Sequence, residues 1–191
     1  MPENISFSRN LDPVDPSRLD TDSARVLASR ERRSGRIWNV TRTLANAPSA
    51  LQMMDGVWDA LARSSLSSGD RELIAMEMAV MNGCHYCVPA HRYTALHEAR
   101  LGAADIHQLT QVSRGETLPE GMRLAVMQRL VRRLVDTKGG LSDAEFSAFR
   151  SQGVTAQQMI ETIAEIAHCT VTNFTNRLAR TPLDSFLEEY R

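Results

Sequence analysis

A chain of 191 residues, 42% of them hydrophobic, is long enough to bury a real core in one compact domain. Its formal net charge is −1 with acidic and basic residues interleaved, which leaves no footprint for nucleic acid or for an anionic membrane. No apolar run reaches the ~18 residues that span a bilayer, and the opening "MPENISFSRNLDPVDPS" lacks the basic region and apolar core of a secretory signal, so a cytoplasmic protein is expected.

In chain order, residues 1–17 read as a flexible arm, because Pro13 and Pro16 resist helix and no apolar periodicity appears. Residues 18–191 read as a single helical domain. A first helix is predicted over about 17–32. Its basic cluster "SRERRSGR" (29–36) is taken as a solvated face. "WNVTRTLANAP" (38–48) reads as a short helix stopped by Pro48. "PSALQMMDGVWDALARSS" (48–65) is amphipathic through Leu51, Met54, Val57, Trp58 and Leu61. "SSGDRELIAMEMAVMN" (67–82) opens with cap chemistry and turns almost wholly apolar, as a core helix does.

Asn82-Gly83 is a strong helix-end signal, and a new helix is expected from about 84 to 100, with Gly102 as its C-cap. Further on, "EGMRLAVMQRLVRRLVDTKGG" carries Leu124, Met127, Leu130 and Leu134 on one stripe and closes on Gly139-Gly140. Capping boxes are read at Ser142–Glu145 and Thr155–Gln158. The last long helix, about 155–180, is expected to bury Met159, Ile163, Ile166 and Phe174, with "LDSFLEEYR" adding one more turn. No alternating β-type run is present, so the fold class is all-α, a helical bundle.

The chemistry concentrates in "NGCHYCVPAH" (82–91). At about 100° per residue, Cys84 and Cys87 sit about 60° apart on a helix, and Cys87 and His91 about 40° apart, so the three project to one side. Residues three apart have Cβ atoms roughly 5–6 Å apart, so this dithiol can close and reopen without rebuilding the fold. Thiolates at a helix start are stabilised by free N–H groups and the dipole. His91, one turn on, can take or give a proton near neutral pH. Pro89 is tolerated in a first turn, which argues for a late helix start near 85–88. A base needs an orienting group. Glu72, on the preceding helix, is the candidate, in the pattern Glu72-x11-Cys84-x2-Cys87-x3-His91.

This pattern resembles the alkylhydroperoxidase D-like, peroxidase-related branch of the carboxymuconolactone decarboxylase family. "REL" (71–73) before an apolar helix and "NGCHYCVPAH" carry the likeness, and flanking segments extend it over roughly residues 35–185. The resemblance implies an all-α, single-domain orthogonal bundle and a homotrimer or hexamer. It implies a hydroperoxide reductase in which Cys87 is the attacking thiolate and Cys84 the proton donor and resolving thiol. His91 and Glu72 would form the proton relay. No cofactor is implied; an external dithiol, lipoyl-bearing or thioredoxin-like, would reset the site. Some relatives place a histidine immediately before the second cysteine. Here Tyr86 stands there and His85 one earlier, and both are candidates to line the pocket, as is His168.

Other readings stay open. Cys84, Cys87 and His91, with His168-Cys169, could ligate zinc, although one cluster heads a helix and the other lies mid-helix. A decarboxylase of the family's founding type would not need the cysteine pair. A non-catalytic oligomeric module is the third, with Asn173, Asn176 and Arg177 as helix-crosslinking residues at an interface. Cys169 alone reads as a small buried hydrophobe.

Overall fold

The computed structural model describes residues 10–191, and the part of the N-terminal arm at residues 1–9 lies outside them. Helices and turns account for the architecture, with no strand among the described residues. The fold is an all-α bundle.

Residues 10–14 lie against the body: Asn10 donates to the Leu178 carbonyl at 2.8 Å, and Val14 N–H to that of Arg42 at 3.0 Å. A 3-10 turn (Pro16–Arg18) precedes α1 (Thr21–Ser34), which Asp20 caps through the N–H groups of Asp22 and Ser23. α2 (Asn39–Leu44) and α3 (Pro48–Leu61) follow, the latter with Pro48 in its first turn. These three helices bury Val26, Leu27, Leu44, Leu51 and Met54 as one cluster. Arg30 is not solvated as expected. Its guanidinium pairs with Asp55 and Asp59 and stacks 4.9 Å over the Trp58 ring, so its charge is consumed inside the α1–α3 contact.

α4 (Ser68–Met81) is the central rod. Ser67 and Asp70 close a capping box at its start, and Leu73, Ile74, Met76 and Ala79 are fully buried. Leu73, Ile74 and Met76 each contribute about 1.5–3 kcal/mol of burial free energy. Around it pack α5 (Cys87–His97), α6 (Ala103–Val112), α7 (Ala125–Thr137) and α9 (Ala156–Ala179), with α8 (Asp143–Ser151) placing Phe149 in the same core. One carboxylate is buried in α4, Glu77. Arg132 and Gln128 of α7 both donate to it, which satisfies the charge inside the core.

α5 begins at Cys87, within the late start that Pro89 argued for, so Cys84 lies ahead of the helix, in a turn that Gly83 enters at φ +59°. Other boundaries differ from the sequence reading. α5 ends at His97 with Glu98 as its C-cap, and the left-handed residue after it is Arg100 at φ +52°. Gly102 is in extended backbone and is the N-cap of α6, a helix the pattern left unassigned. On α9, Met159 is buried, but Ile163 and Phe174 are 46% and 53% exposed. The buried face of α9 instead carries Thr162, Glu165, Cys169, Asn173 and Asn176. Both capping boxes expected downstream are present, at Ser142–Glu145 and Thr155–Gln158. The tail forms a 3-10 helix (Ser185–Tyr190) docked on α5 through contacts of Phe186 and Tyr190 with Tyr93.

Candidate active site

The Asn82-Gly83 break ends α4 and turns the chain so that α5 starts afresh at Cys87. Proline at the third helical position costs nothing, since its missing N–H would have had no partner in the first turn. Cys84 and Cys87 stand with Cα atoms 5.3 Å apart and are joined as a disulfide. The N–H of Cys87 points to Cys84 Sγ at 3.2 Å, so Cys84 takes the role of a capping acceptor at the helix start.

The two sulfurs have different surroundings. Cys84 lines an open cleft of about 790 Å³ together with His85, Val88, Arg92 and Arg114. Cys87 is not among the residues that line it, and both cysteines are almost fully buried, Cys84 at 1% and Cys87 at 4% exposure. Cys87 Sγ accepts from the side-chain amides of Asn173, at 3.2 Å, and Asn176, at 3.4 Å. Asn82, from the break itself, donates to Asn173 Oδ1 at 3.0 Å and turns that amide's nitrogen towards the sulfur. Asn176 Oδ1 is buried without a partner. An orphaned carbonyl costs about 1–3 kcal/mol, and it is tolerated here with the other end of the amide committed to Cys87.

Glu72 and His91 meet across α4 and α5, with Glu72 Oε2 3.0 Å from His91 Nδ1. Burial pushes the imidazole pKa down, but the charge and hydrogen bond of Glu72 outweigh it, and the net shift is upward from the ordinary 6.5.

Beside this pair lies a second network. Trp58 Nε1 donates to His168 Nε2 at 2.7 Å. An indole N–H only donates, so His168 holds its proton on Nδ1, which faces Glu165 Oε1 at 3.3 Å. Arg71 donates to the other Glu165 oxygen at 3.3 Å. Burial raises the Glu165 pKa, but His168 and Arg71 together take it below the usual carboxylate value, and it stays ionised. Burial first, then the carboxylates of Glu165 and Glu72, push the Cys169 thiol well up. Cys169 is thus a protonated thiol. Among the described residues, Glu165, His168 and Cys169 offer ligand atoms within 4.8 Å of one another. Hydrogen bonds already engage the first two in this network.

The candidates therefore divide. Cys84 and Cys87 are joined at the start of α5, and Glu72 of α4 pairs with His91 one turn further along α5. His85 lines the cleft and donates from Nε2 to the Thr181 carbonyl at 2.9 Å. Tyr86 does not line it. Its hydroxyl is buried and donates to Asp184 at 2.5 Å, fastening the C-terminal segment under the turn. Burial and the Asp184 charge raise its pKa beyond the titratable range. His168 belongs to the Trp58–Glu165 network. Sequence reasoning missed Trp58, Arg71, Glu165, Asn173 and Asn176 as parts of the site. The legible signal was the polar stripe at 162, 165, 169, 173 and 176, at helical spacing on α9.

An all-α bundle with a paired dithiol at a helix start and a half-buried carboxylate–imidazole pair defines a class, the alkylhydroperoxidase-like fold. The solved structures agree on the fold. The alkylhydroperoxidase AhpD core, an uncharacterized peroxidase-related protein of Ralstonia eutropha JMP134, superposes with a TM-score of 0.79 at 21% identity, covering 94% of each chain. An uncharacterized peroxidase-related protein of Silicibacter sp. TM1040 gives 0.77 at 17% identity over 98% of this chain and 100% of the other. The debrominase Bmp8, as a cysteine-to-alanine variant in complex with 2,3,4-tribromopyrrole, gives 0.74 at 14% identity over 96% of both. No curated protein sequence matches the chain. Over residues 48–113, which hold Glu72, Cys84, Cys87 and His91, the chain matches the model of the carboxymuconolactone decarboxylase family.

Proposed function

We propose that this protein is a thiol-dependent hydroperoxide reductase that cycles Cys84 and Cys87 between dithiol and disulfide. The observation that carries the reading is the asymmetry of the pair: Cys87 Sγ faces two buried amide donors, while Cys84 opens on a cleft. In the oxidative half, the Cys87 thiolate attacks one peroxide oxygen, the O–O bond breaks, and Cys87 becomes a sulfenic acid. The departing alkoxide takes a proton, which the Glu72–His91 pair supplies. The Cys84 thiol then attacks Cys87 sulfur, water leaves, and the disulfide closes. In the reductive half, an external thiolate attacks Cys84 from the cleft, and Cys87 departs as a thiolate onto Asn173 and Asn176. The second thiol of the reductant displaces Cys84 and leaves oxidised. The sum is one hydroperoxide and one dithiol converted to an alcohol, water and a disulfide.

The reductant is a dithiol, free, lipoyl-bearing or on a thioredoxin-like protein, and the compartment a reducing one such as the cytoplasm. The exposed apolar stripe of α9, formed by Ile160, Ile163, Phe174 and Leu178, is the face for a homo-oligomer. The test is peroxide consumption with a reduced dithiol by wild type, Cys87→Ser and Cys84→Ser. Turnover by wild type alone is expected; an inactive wild type, or three equal rates, overturns the reading.

A further inference from the structure

Among the described residues, three buried side-chain atoms lack a hydrogen-bond partner: Ser64 Oγ, Gln111 Oε1 and Asn176 Oδ1. Only the last sits on a side chain bonded to a cysteine of the pair, through Asn176 Nδ2 at 3.4 Å from Cys87 Sγ. Asn173, on the same buried face of α9, holds that sulfur at 3.2 Å, but its carbonyl is occupied by Asn82 Nδ2 at 3.0 Å. Both side chains are shut away from solvent, Asn173 at 0% and Asn176 at 1% exposure. Cys87 therefore meets two donors and one free acceptor. The donors suit a sulfur that carries negative charge. The acceptor does not: a disulfide and a thiolate have no proton to give, and a thiol S–H is a weak donor. A buried carbonyl without a donor is a standing cost. The donor that relieves it has to arrive with the chemistry, and a hydroperoxide brings one. Its terminal oxygen carries an O–H that survives attack by sulfur and becomes the hydroxyl of the sulfenic acid.

We propose that the Asn176 carbonyl accepts this O–H, first from the hydroperoxide and then from the Cys87 sulfenic acid, which makes Asn176 a catalytic residue of the oxidative half. The inference rests on the hydroperoxide reading above and deepens it: the terminal oxygen is the one that Cys87 takes, and a free O–H is what the site recognises. The Cys87 thiolate forms an S–O bond to that oxygen as the O–O bond breaks. The electron pair of the broken bond leaves with the alkoxide, which takes its proton from the Glu72–His91 pair. Sulfur is oxidised, the peroxide is reduced, and the transferred oxygen keeps its hydrogen. The two ends of one amide then grip the S–O–H group, nitrogen on sulfur and carbonyl on hydroxyl. When the Cys84 thiol displaces that hydroxyl, it leaves as water with the Cys84 proton.

The contrast between the two asparagines isolates the carbonyl. Every arm uses Cys84→Ser, in which oxidation stops at the sulfenic acid. Asn173→Ala and Asn176→Ala are added singly, with circular dichroism to check folding. Each removes one donor from Cys87, and only Asn176→Ala also removes the free acceptor. The rate of Cys87 oxidation by tert-butyl hydroperoxide, read by dimedone labelling, is divided by its rate of reaction with methyl methanethiosulfonate, a thiolate reagent with no hydrogen-bond donor. This ratio is expected to fall about fivefold in Asn176→Ala, the worth of one uncharged hydrogen bond, and to hold its parent value in Asn173→Ala. A second readout leaves both asparagines intact. With isotope-labelled asparagine, the Asn176 Cγ resonance should move downfield when Cys87 becomes a sulfenic acid, and the Asn173 Cγ resonance should stay; this arm decides if either alanine variant fails to fold. An equal ratio in all three proteins, an equal fall in both variants, or an unmoved Asn176 resonance overturns the role of Asn176 alone. Failure of Cys87 to form a sulfenic acid with the hydroperoxide overturns the hydroperoxide reading itself.

Discussion

Cys87 and Cys169 are both buried cysteines near polar groups, yet their chemistry is opposed. Burial first, and then the carboxylates of Glu165 and Glu72, hold the proton on the Cys169 thiol, while amide N–H groups face Cys87, an arrangement that favours a negative sulfur. Asn173→Ala or Asn176→Ala should slow reduction of the disulfide by about tenfold each, the worth of one hydrogen bond to a charged group. Stopped-flow reduction by dithiothreitol measures it; wild-type rates in both variants would remove the amides from the mechanism. Glu72→Gln tests the relay through pH. With Glu72 present, the His91 pKa is raised above 6.5, so the pair's contribution to stability is complete below that value and is lost as pH rises through the raised one. In Glu72→Gln, the His91 ring resonances should titrate at lower pH by NMR, and the alkaline loss of stability should vanish. Much of this was legible: cysteine spacing, a histidine one turn on, and a glutamate at fixed distance upstream are local facts. Asn173 was not, because it meets Cys87 across 86 residues of sequence, and no local pattern encodes that approach.

Among the elements, α9 shows where periodicity misleads. A hydrophobic stripe ordinarily marks the buried face of a helix, and Ile163 and Phe174 were assigned inward on that rule. The buried face is the polar one, because it furnishes Glu165, Asn173 and Asn176 to the site and hydrogen bonds offset their burial. α4 and α7 have no such duty, and their stripes were read correctly. The start of α5 was legible for the reverse reason: breaker, proline and cap preferences act within a few residues. That turn can be probed directly. Gly83 sits at φ +59° with open space where a side chain would go, so Gly83→Ala adds backbone strain and no clash. A cost of about 1 kcal/mol is expected, a fall in Tm of about 2–4 °C for a chain of this size. An unchanged melting curve would show that the turn relaxes without strain.

For the molecule as a whole, the exposed apolar residues of α9 are the clearest demand for a neighbour. Ile160 and Leu178 are 69% and 65% exposed, too open for side chains that fill a monomer's core. Ile160→Asp with Phe174→Asp should lower the sedimentation mass to that of one 21.3 kDa chain while circular dichroism keeps the helical signature. A wild type that already sediments as a monomer would refute the interface. The fold class needed only composition and periodicity; this surface needed the arrangement of α9 against the rest.

The turn that carries the dithiol is held from two distant parts of the chain. Val40 and Asp184 both bond the Tyr86 hydroxyl, Asp184 also accepts from the Asn39 N–H, and His85 grips the Thr181 carbonyl. On the ribosome, α4 and α5 are therefore complete long before the site is. Until residues 173–187 emerge, Cys87 lacks its amide donors and Tyr86 its anchor. A chain truncated ahead of Asn173 therefore retains both cysteines but none of these contacts.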